Sequence, residues 1–384
     1  MKIIGMMSGT SLDGVDLVYV EFQKIDNQIK HQLINSYSRS YPKDLKTKLL
    51  AVSNKEKSNV QTICAMNFEL GNFYGETVIN FMETHGLTYN DVDYISNHGQ
   101  TIWHNPFNME GYHSSTLQIG ESSVIAALTN VAVIDNFRVM DMALGGQGAP
   151  LIPYSEYLIY SSNSENICLQ NIGGIGNITY LKKNGSIEDV VAFDTGPGNM
   201  LIDQAMNHFY KKAFDSNGDI AKKGKLIAEL FDFMKDDDYY QLPYPKSTGR
   251  EKYSSEYFFQ LLLLVDFKKY SQEDFVYTLT YFTAYTICLG LKFFPKTDKL
   301  VIAGGGVYNK TLISMIKNLT EMPVYIQEDL GFDSQYKEAL GFAFLGFACV
   351  NGLSGNIKNV TGAKRSAILG KITPSAKIMK TRGN

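Results

Sequence analysis

Residues 2–22 read KIIGMMSGTSLDGVDLVYVEF, and this stretch decides the fold. Residues 2–6 form a short apolar run, and residues 16–22 alternate between apolar and polar side chains, which predicts two paired strands. The connection, residues 8–15, is rich in Gly, Ser and Thr and is longer than the about two to five residues that a hairpin loop needs. We therefore predict a β-hairpin whose turn contacts a ligand.

A second stretch of the same layout lies near the middle of the chain. Residues 167–181 read ICLQNIGGIGNITYL, which predicts a strand, a Gly-rich turn and a return strand. Two such hairpins about half a chain apart indicate a duplicated architecture, although only the layout repeats. A third Gly-rich turn at residues 304–306 follows the apolar run 300–303 and precedes a helical pattern.

Strands and helices alternate through the rest of the chain. Residues 61–85 have helical spacing of apolar side chains with Gly86 as a C-cap, and residues 93–96 and 131–134 are short buried-strand candidates. Residues 271–274 resemble a capping box at the start of another helix. This alternation predicts an α/β protein.

Length and composition exclude several classes of protein. The chain has 384 residues, 44% of them hydrophobic, and 36 Lys+Arg against 39 Asp+Glu, a net charge of −3. We expect about two or three core-forming units, no nucleic-acid partner and no largely disordered chain. The longest apolar run, residues 258–265, is too short to span a membrane. The chain turns to Gly5 and Ser8 before the apolar segment of a signal peptide could develop, so we expect none. The four cysteines match neither metal spacing nor a disulfide scaffold, so we expect a cytoplasmic protein.

The predicted domain boundary falls where the composition turns to Gly and Pro, in residues 135–153. The first domain is expected to span residues 1–134, and residues 354–384 could return to it. The second is expected to span residues 135–353 and to contain Asp141.

Asp141 precedes the Gly-rich loop of residues 145–148. A carboxylate beside nearly bare backbone suits a general base, which typically contributes about 10²–10⁴-fold in rate. A pairing with Arg138 or a cap on the following turn is the structural alternative.

His98 and Gln100 follow the strand predicted at residues 93–96, the end at which α/β proteins bind ligands. They could bind a polyol or an acyl group, or His98 could be a loop histidine with its hydrogen bonds satisfied locally. A zinc site built from His98, His104 and His113 is disfavoured because their spacing matches no recurrent ligand pattern.

Three further positions have both a functional and a structural interpretation. Asp194, in the motif FDTGPGN, could hold a metal or a sugar hydroxyl, or its neighbours could simply cap the next helix. Residues 246–250, KSTGR, could hold a carboxylate or phosphate, or form a solvated loop. Glu338 could face a ligand or be a surface charge.

Taken together, these motifs resemble the anhydro-N-acetylmuramic acid kinases along nearly the whole chain. Each motif alone is weak, but their order and spacing are specific. P-loop, serine-hydrolase and Rossmann signatures are absent from the sequence. The matching segments are residues 5–16, 98–101, 141–151, 171–177, 193–199 and 246–250.

The resemblance implies a fold and a reaction. The fold would be α/β, with two actin/hexokinase-like (ribonuclease H-like) domains and an ATP cleft between them. The reaction would convert 1,6-anhydro-N-acetylmuramic acid, ATP and water into N-acetylmuramic acid 6-phosphate and ADP, in cytoplasmic recycling of cell-wall sugar. A homodimer is the implied assembly.

The resemblance also implies site residues, with Asp141 as the catalytic base. Phosphate and adenosine contacts are expected from Gly9, Thr10, Ser11, Leu12, Asp13, Gly14, Val15, Asp16, Gly173, Gly174, Gly176, Asn177, Gly304, Gly305 and Gly306. Sugar contacts are expected from His98, Gln100, Gly146, Gln147, Lys246, Arg250 and Glu338.

Magnesium is the least determined part of this site. Met7 and Asn171 stand where the wider actin–hexokinase superfamily has acidic residues, which leaves Asp194 as the candidate Mg²⁺ ligand. Alternatively, ATP oxygens and water hold most of the ion's coordination shell, as is common for Mg²⁺.

Three other functions remain open from the sequence. Another sugar kinase of the same superfamily would phosphorylate glucose as well as the anhydro sugar. A glycoside-opening hydrolase would be indifferent to nucleotide. An actin-like ATP-gated binding protein would show slow ATPase activity stimulated by a protein rather than by a sugar.

Overall fold

The computed structural model describes residues 1–9, 12–25, 28–249, 252–330 and 334–376. These residues form twelve strands and twelve α-helices. The strands are β1 Lys2–Ser8, β2 Gly14–Ile25, β3 Gln28–Ser40, β4 Tyr94–Asn105, β5 Ser115–Ile119, β6 Ala132–Asp135, β7 Ile167–Ile172, β8 Ile175–Leu181, β9 Val191–Pro197, β10 Lys299–Ala303, β11 Val324–Ile326 and β12 Lys371–Thr373. The helices are α1 Lys43–Val52, α2 Val60–Thr84, α3 Ser122–Thr129, α4 Phe137–Ala143, α5 Ile152–Tyr160, α6 Met200–Tyr210, α7 Ala228–Lys235, α8 Ser255–Leu263, α9 Gln272–Leu291, α10 Lys310–Leu319, α11 Lys337–Val350 and α12 Lys358–Thr361.

The chain divides into two compact units. The first comprises Met1–Leu158 and Tyr336–Asn384, and the second comprises Ile159–Gln335. These limits differ from the predicted 1–134 and 135–353, because α11 packs on the first sheet and brings the chain back before residue 354. Ser96 Oγ, for example, donates a 2.5 Å hydrogen bond to the Phe342 carbonyl of α11. Asp141 consequently lies in the first unit and not in the second.

The sheet of the first unit has the order β3–β2–β1–β4–β6–β12, with β5 paired to β4. Strands β1, β2 and β3 form an antiparallel meander, and β4 and β6 run parallel to β1. Successive side chains of β1 point to opposite faces. Ile4 and Met6 join the apolar cluster of α1, α2 and α3, whereas a Cβ on Gly5 would lie 2.3 Å from the Ala339 carbonyl of α11.

The second sheet repeats this plan with the order β9–β8–β7–β10–β11. Strands β7, β8 and β9 form the antiparallel meander, and β10 and β11 run parallel to β7. The predicted duplication and the predicted fold class, two ribonuclease H-like α/β units, are therefore confirmed. Both Gly-rich hairpins predicted from the sequence are the first hairpin of their sheet.

Local sequence signals fix several element ends. Ser271 and Asp274 form the predicted capping box of α9: Ser271 Oγ accepts from the Asp274 N–H at 3.1 Å, and Asp274 Oδ2 accepts from the Ser271 N–H at 2.9 Å. Helix α2 ends at Thr84, two residues before Gly86 at φ +64°. Within the described part of the chain, no helix has the length and apolar character needed to cross a bilayer.

Candidate functional site

The turn after β1 is held in place by a buried glutamine. The Gly9 carbonyl accepts hydrogen bonds from Gln100 Nε2 at 3.0 Å and from the Leu12 N–H at 3.3 Å. Gln100 is fully buried, and its Oε1 accepts from the Tyr41 hydroxyl at 3.2 Å. Gln100 therefore positions the turn and presents no free face to a sugar, contrary to the predicted substrate contact.

Side chains at the end of this turn are engaged with neighbouring elements. Asp13 Oδ1 pairs with Lys46 Nζ at 2.9 Å, and Asp16 Oδ1 accepts a hydrogen bond from Ser38 Oγ. Both carboxylates therefore have protein partners, which leaves the main chain of the turn as the part best suited to a phosphate.

Packing against neighbouring residues also determines which side chains are possible at the end of the turn. A Cβ on Gly14 would lie 2.3 Å from the Arg39 carbonyl, so glycine is required there by the strand pair itself. Val15 is 2% exposed and belongs to the core. Thr10 and Ser11, which were predicted to contact ATP, lie outside the described residues.

The buried His98 pairs with the half-buried Arg138. His98 Nε2 accepts from Arg138 Nε at 3.1 Å and from Arg138 Nη2 at 3.0 Å, and Arg138 Nη1 donates to the Gly148 carbonyl at 2.7 Å. Burial, and then the nearby guanidinium, hold the pKa of His98 well below its usual range. His98 is thus neutral at physiological pH and anchors Arg138 to the glycine loop.

Asp141 occupies the centre of a closed hydrogen-bond network. Its side chain has no exposed area; Oδ2 accepts from the Gly148 N–H at 2.8 Å, and Oδ1 accepts from Asn356 Nδ2 and Thr361 Oγ1, each at 2.7 Å. A Cβ on Gly146 would lie 2.2 Å from Oδ2. A general base must reach a water molecule, and this carboxylate is sealed from solvent. The geometry fits a structural anchor of the glycine loop and does not fit the predicted base.

Two predicted sugar contacts in the first unit are accessible. Gln147 is half-buried, and Glu338, at the start of α11, is exposed. Desolvation raises the pKa of Glu338 and Asp16 adds to the rise, whereas Lys337 and Arg138 oppose it. An accessible carboxyl with a perturbed pKa is typical of a functional site.

In the second unit, the β7–β8 turn is bonded to the start of α6. The Gly173 carbonyl accepts from the Asn199 N–H at 2.8 Å. The Gly174 carbonyl accepts from the Gly198 N–H at 2.9 Å and from the Met200 N–H at 3.1 Å. The turn and the start of α6 are therefore one rigid structure, and the turn itself accepts from the N–H groups of residues 198–200.

Two glycines leave space that no protein atom fills. A Cβ on Gly174 would meet nothing nearer than Met200 Cε at 3.3 Å, and a Cβ on Gly305 nothing nearer than Asn199 Nδ2 at 3.9 Å. Both glycines are exposed. Since the packing does not demand glycine at either position, the open space is available to a ligand that approaches the backbone.

Other glycines of the same motifs serve the fold. A Cβ would lie 2.7 Å from Thr195 Oγ1 at Gly176 and 2.3 Å from Ile172 Cγ2 at Gly306. Gly304 has a left-handed backbone with φ +86°. These three predicted nucleotide contacts therefore also shape the turns.

A polar row crosses the second sheet next to the turn. Asn171 pairs with Asn177, and Asn177 pairs with Asp194, across β7, β8 and β9. Asp194 is half-buried, and its Oδ2 accepts from the Thr248 N–H at 3.0 Å. Its own N–H donates to the Lys246 carbonyl at 3.1 Å, so the side chain is held at a fixed position.

Lys246, a predicted sugar contact, is engaged with protein. Its Nζ donates to the Tyr239 carbonyl at 3.1 Å and lies over the rings of Tyr239, Phe193 and Phe293 at 4.8, 5.6 and 5.3 Å. Burial lowers the pKa of Lys246. The residue therefore supports the loop that holds Asp194, while Arg250 lies outside the described residues.

Two pockets of the second unit share one carboxylate. A pocket of about 350 Å³ is lined by Gly305, Phe214 and Tyr308 among others, and one of about 820 Å³ is lined by Gly174 among others. Asp203 of α6 lines both, and burial raises its pKa to about 6. The sequence analysis did not identify Phe214, Tyr308 or Asp203 as candidate site residues.

The residues that close the network around Asp141 could not be found from spacing. Asn356 and Thr361 lie 215 and 220 residues away from it. No short motif joins positions so far apart, and only the return of the chain at α11 and α12 brings them together.

Magnesium ligands are sparse in the described part of the chain, which contains no group of three His, Cys, Asp or Glu side chains able to hold a metal ion. The row of two amides and Asp194 supplies oxygen ligands but a single carboxylate. This donor set suits an ion held mainly by nucleotide oxygens and water.

Comparison with known proteins gives a family match along the chain. Residues 1–375 match the family model described as anhydro-N-acetylmuramic acid kinase. Proteins of that name are 43% identical in Caldanaerobacter subterraneus subsp. tengcongensis, over 97% of this chain and 96% of that protein, and 44% identical in Clostridioides difficile, over 97% and 98%. One from Bacillus cereus strain Q1 is 42% identical, over 97% of this chain and 99% of that protein.

Solved structures show more distant likenesses. The ADPNP-bound activator of 2-hydroxyisocaproyl-CoA dehydratase from Clostridium difficile aligns with a TM-score of 0.45 and 13% identity, over 90% of this chain and 94% of that chain. A ROK hexokinase from Thermus thermophilus aligns with a TM-score of 0.35 and 10% identity, over 90% and 98%.

Proposed function

The chain belongs to the anhydro-N-acetylmuramic acid kinase family, and on that basis we propose that it converts 1,6-anhydro-N-acetylmuramic acid, ATP and water into N-acetylmuramic acid 6-phosphate and ADP. The supporting observation is a relative of that name with 44% identity over 97% of this chain. The open glycines at positions 174 and 305 add space in which a nucleotide can approach the backbone. We place the reaction in cytoplasmic recycling of cell-wall sugar.

The substrate dictates what the enzyme must supply. The anhydro bridge joins C1 to O6, so O6 has no proton for a base to remove. Water must instead lose a proton and form a bond to C1 while the C1–O6 bond breaks. The released O6 then carries negative charge and forms a bond to the γ-phosphorus of ATP, with ADP as the leaving group.

We assign the base to Asp194 instead of Asp141. The Asp141 carboxylate is buried among three donors, whereas Asp194 is half-buried in the middle of β9. Asp194 is held there by the Thr248 N–H, which donates to its carboxylate, and by its own N–H, which donates to the Lys246 carbonyl. A fixed, accessible carboxylate can take the water's proton, typically for about 10²–10⁴-fold in rate. Asp141 acts indirectly, by holding the glycine loop.

Each unit has a Gly-rich turn whose main chain is suited to phosphate oxygens. We expect the main chain at Gly9 in the first turn and at Gly174 in the second to contact phosphate oxygens, and Gly305 to lie beside the adenosine. The Gly173 N–H already donates to the Ile175 carbonyl at 3.2 Å. Mg²⁺ bound to the triphosphate would neutralise charge on the transferring group. Because Asp194 is assigned to the attacking water molecule, nucleotide oxygens and solvent would hold the ion.

Sugar recognition falls to the accessible side chains. Gln147 and Glu338 can contact the substrate directly. His98, Gln100 and Lys246 are engaged with protein: they hold Arg138, the Gly9 turn and the loop beside Asp194, respectively. Gly146 leaves room for Asp141 rather than for a ligand. We also propose a homodimer, which sedimentation of the purified chain would show as twice the 43.0 kDa mass.

An ADP-release assay tests the function. Wild-type protein is given the anhydro sugar, free N-acetylmuramic acid or glucose, and only the anhydro sugar is expected to support turnover. Equal turnover with glucose would make the protein an ordinary hexose kinase. Nucleotide-independent opening of the bridge would make it a hydrolase.

The same assay separates the two roles considered for Asp194. Asp194→Asn should reduce kcat by about 10²-fold or more while the affinity for MgATP stays unchanged, because a base acts on water and not on the nucleotide. A large fall in MgATP affinity would instead make Asp194 a metal ligand. Full activity would remove it from the mechanism.

A further inference from the structure

The smaller pocket of the second unit has the shape and lining of a nucleoside site. Its volume is about 350 Å³, within the range of small-ligand pockets. Phe214 and Tyr308 both line it and are each 62% exposed. Flat aromatic faces beside the open backbone of Gly305 suit a planar base.

Asp203 lies where the sugar of such a nucleoside would be. It is one helical turn beyond Asn199 on α6, so the two side chains share a face of the helix. Asp203 lines the pocket that contains Gly305 and also the neighbouring pocket that contains Gly174. A nucleotide with its base beside Gly305 and its phosphates beside Gly174 would therefore pass Asp203.

The half-buried Asp203 carboxylate lacks hydrogen-bond donors and a positively charged partner in the described part of the chain. Among the described residues, none donates a hydrogen bond or forms an ion pair with its side chain, and burial is the cause of its raised pKa. A partly desolvated charge without donors is unfavourable, so a ligand that brings donors gains the interaction.

We propose that Asp203 recognises the ribose of the nucleotide by accepting hydrogen bonds from its 2′- and 3′-hydroxyls, which makes the enzyme selective for ribonucleotides over 2′-deoxyribonucleotides. This inference rests on the ATP use proposed above. Two adjacent hydroxyls match the two oxygens of one carboxylate, and hydrogen bonds to an ionised acceptor are the strong ones.

A structural role for Asp203 explains the surroundings less well. An acidic side chain near the start of a helix can interact favourably with the helix dipole, which stabilises its charged form. The pKa of Asp203 is raised, not lowered, so burial outweighs any such stabilisation in the free protein. The partly buried, ionised carboxylate of Asp203 therefore destabilises the free protein until a ligand supplies hydrogen-bond donors.

The test measures nucleotide binding by calorimetry without sugar, using Mg·ADP and Mg·2′-deoxyADP. Wild-type protein should bind ADP at least about tenfold more tightly than 2′-deoxyADP, the effect of one hydrogen bond to a charged group. Asp203→Ala should bind the two nucleotides with equal affinity. Relative to wild type, its affinity for ADP should fall more than its affinity for 2′-deoxyADP. Asp203→Asn, which keeps the side-chain volume, should also reduce the preference if the alanine variant fails to fold.

Two matched variants control the result. Phe214→Ala should weaken both nucleotides by the same factor and keep the preference, because it removes a base contact. Asp232→Ala removes an exposed carboxylate of α7 that lines neither pocket, and this variant should bind both nucleotides as wild type does. If wild-type protein binds the two nucleotides equally, or if Asp203→Ala keeps the preference for ADP, the ribose assignment is wrong. Neither result would contradict the proposed kinase function. Absence of any nucleotide binding by wild-type protein would overturn the kinase function as well.

Discussion

At the scale of single residues, three aspartates differ in their surroundings, and the surroundings determine their roles. Asp141 is sealed by three donors, Asp194 is half-buried in the middle of β9, and the Asp203 carboxylate is half-buried in a pocket and receives no hydrogen bond from any described residue. Asp141 is a structural anchor, Asp194 suits a general base, and Asp203 can accept hydrogen bonds from a ligand. Residue type alone, which is all the sequence shows, does not separate them.

Asp141→Asn should destabilise the protein more than it changes the chemistry. The amide NH₂ would face one or more donors that now bond the carboxylate, and an unsatisfied buried group costs about 1–3 kcal/mol. We expect a melting temperature lower by several degrees in a thermal scan, whereas Asp194→Asn, the control, should melt close to wild type. A stable but inactive Asp141→Asn protein would return the base to Asp141.

Asp203→Asn should stabilise the nucleotide-free protein in a pH-dependent way. Because the pKa of Asp203 rises from 3.8 to about 6 on folding, the folded protein binds this proton more tightly than the unfolded chain does. The ionised group therefore lowers stability above pH 6, and this penalty disappears as the pH falls through 6 towards 4. Urea unfolding at pH 7.5 and at pH 4 should show the gain from the substitution only at the higher pH. An equal gain at both values would contradict the raised pKa.

At the scale of elements, the sequence predicts what is encoded locally. The two Gly-rich hairpins, the capping box of α9 and helix α2 were all predicted, since each depends on residues a few positions apart. Strand β3 was not predicted: its sequence QIKHQLINSYSRS lacks a clear alternation, and pairing with β2 forms it. The partners of Asp141 and the ribose pocket were missed for the same reason, because tertiary contacts create them.

The glycines of the turns should separate into two classes on substitution. Gly174→Ala and Gly305→Ala leave the packing intact but fill ligand space, so nucleotide affinity should fall about tenfold or more at unchanged melting temperature. Gly306→Ala places a Cβ 2.3 Å from Ile172 Cγ2 and should lower the melting temperature. Calorimetry and thermal scans on the three variants check this, and unchanged ADP affinity in both open-glycine variants would place the nucleotide elsewhere.

At the scale of the whole molecule, one strand order occurs twice, and each copy has its own share of the candidate residues. The first unit holds the turn at Gly9, the Asp141 network and Glu338, whereas the second holds the turn at Gly174, Asp194 and the pockets beside α6. The duplicated layout was visible in the sequence. The unit boundary was not, because it depends on where α11 packs.

The chemistry proposed for the molecule requires water to attack carbon and the bridge oxygen to attack phosphorus. This division can be measured by running a single turnover in H₂¹⁸O and analysing the product at once by mass spectrometry, before the anomeric hydroxyl exchanges with solvent. We predict one ¹⁸O at C1 and none in the phosphate ester. Unlabelled C1, or label in the phosphate group, would contradict the account.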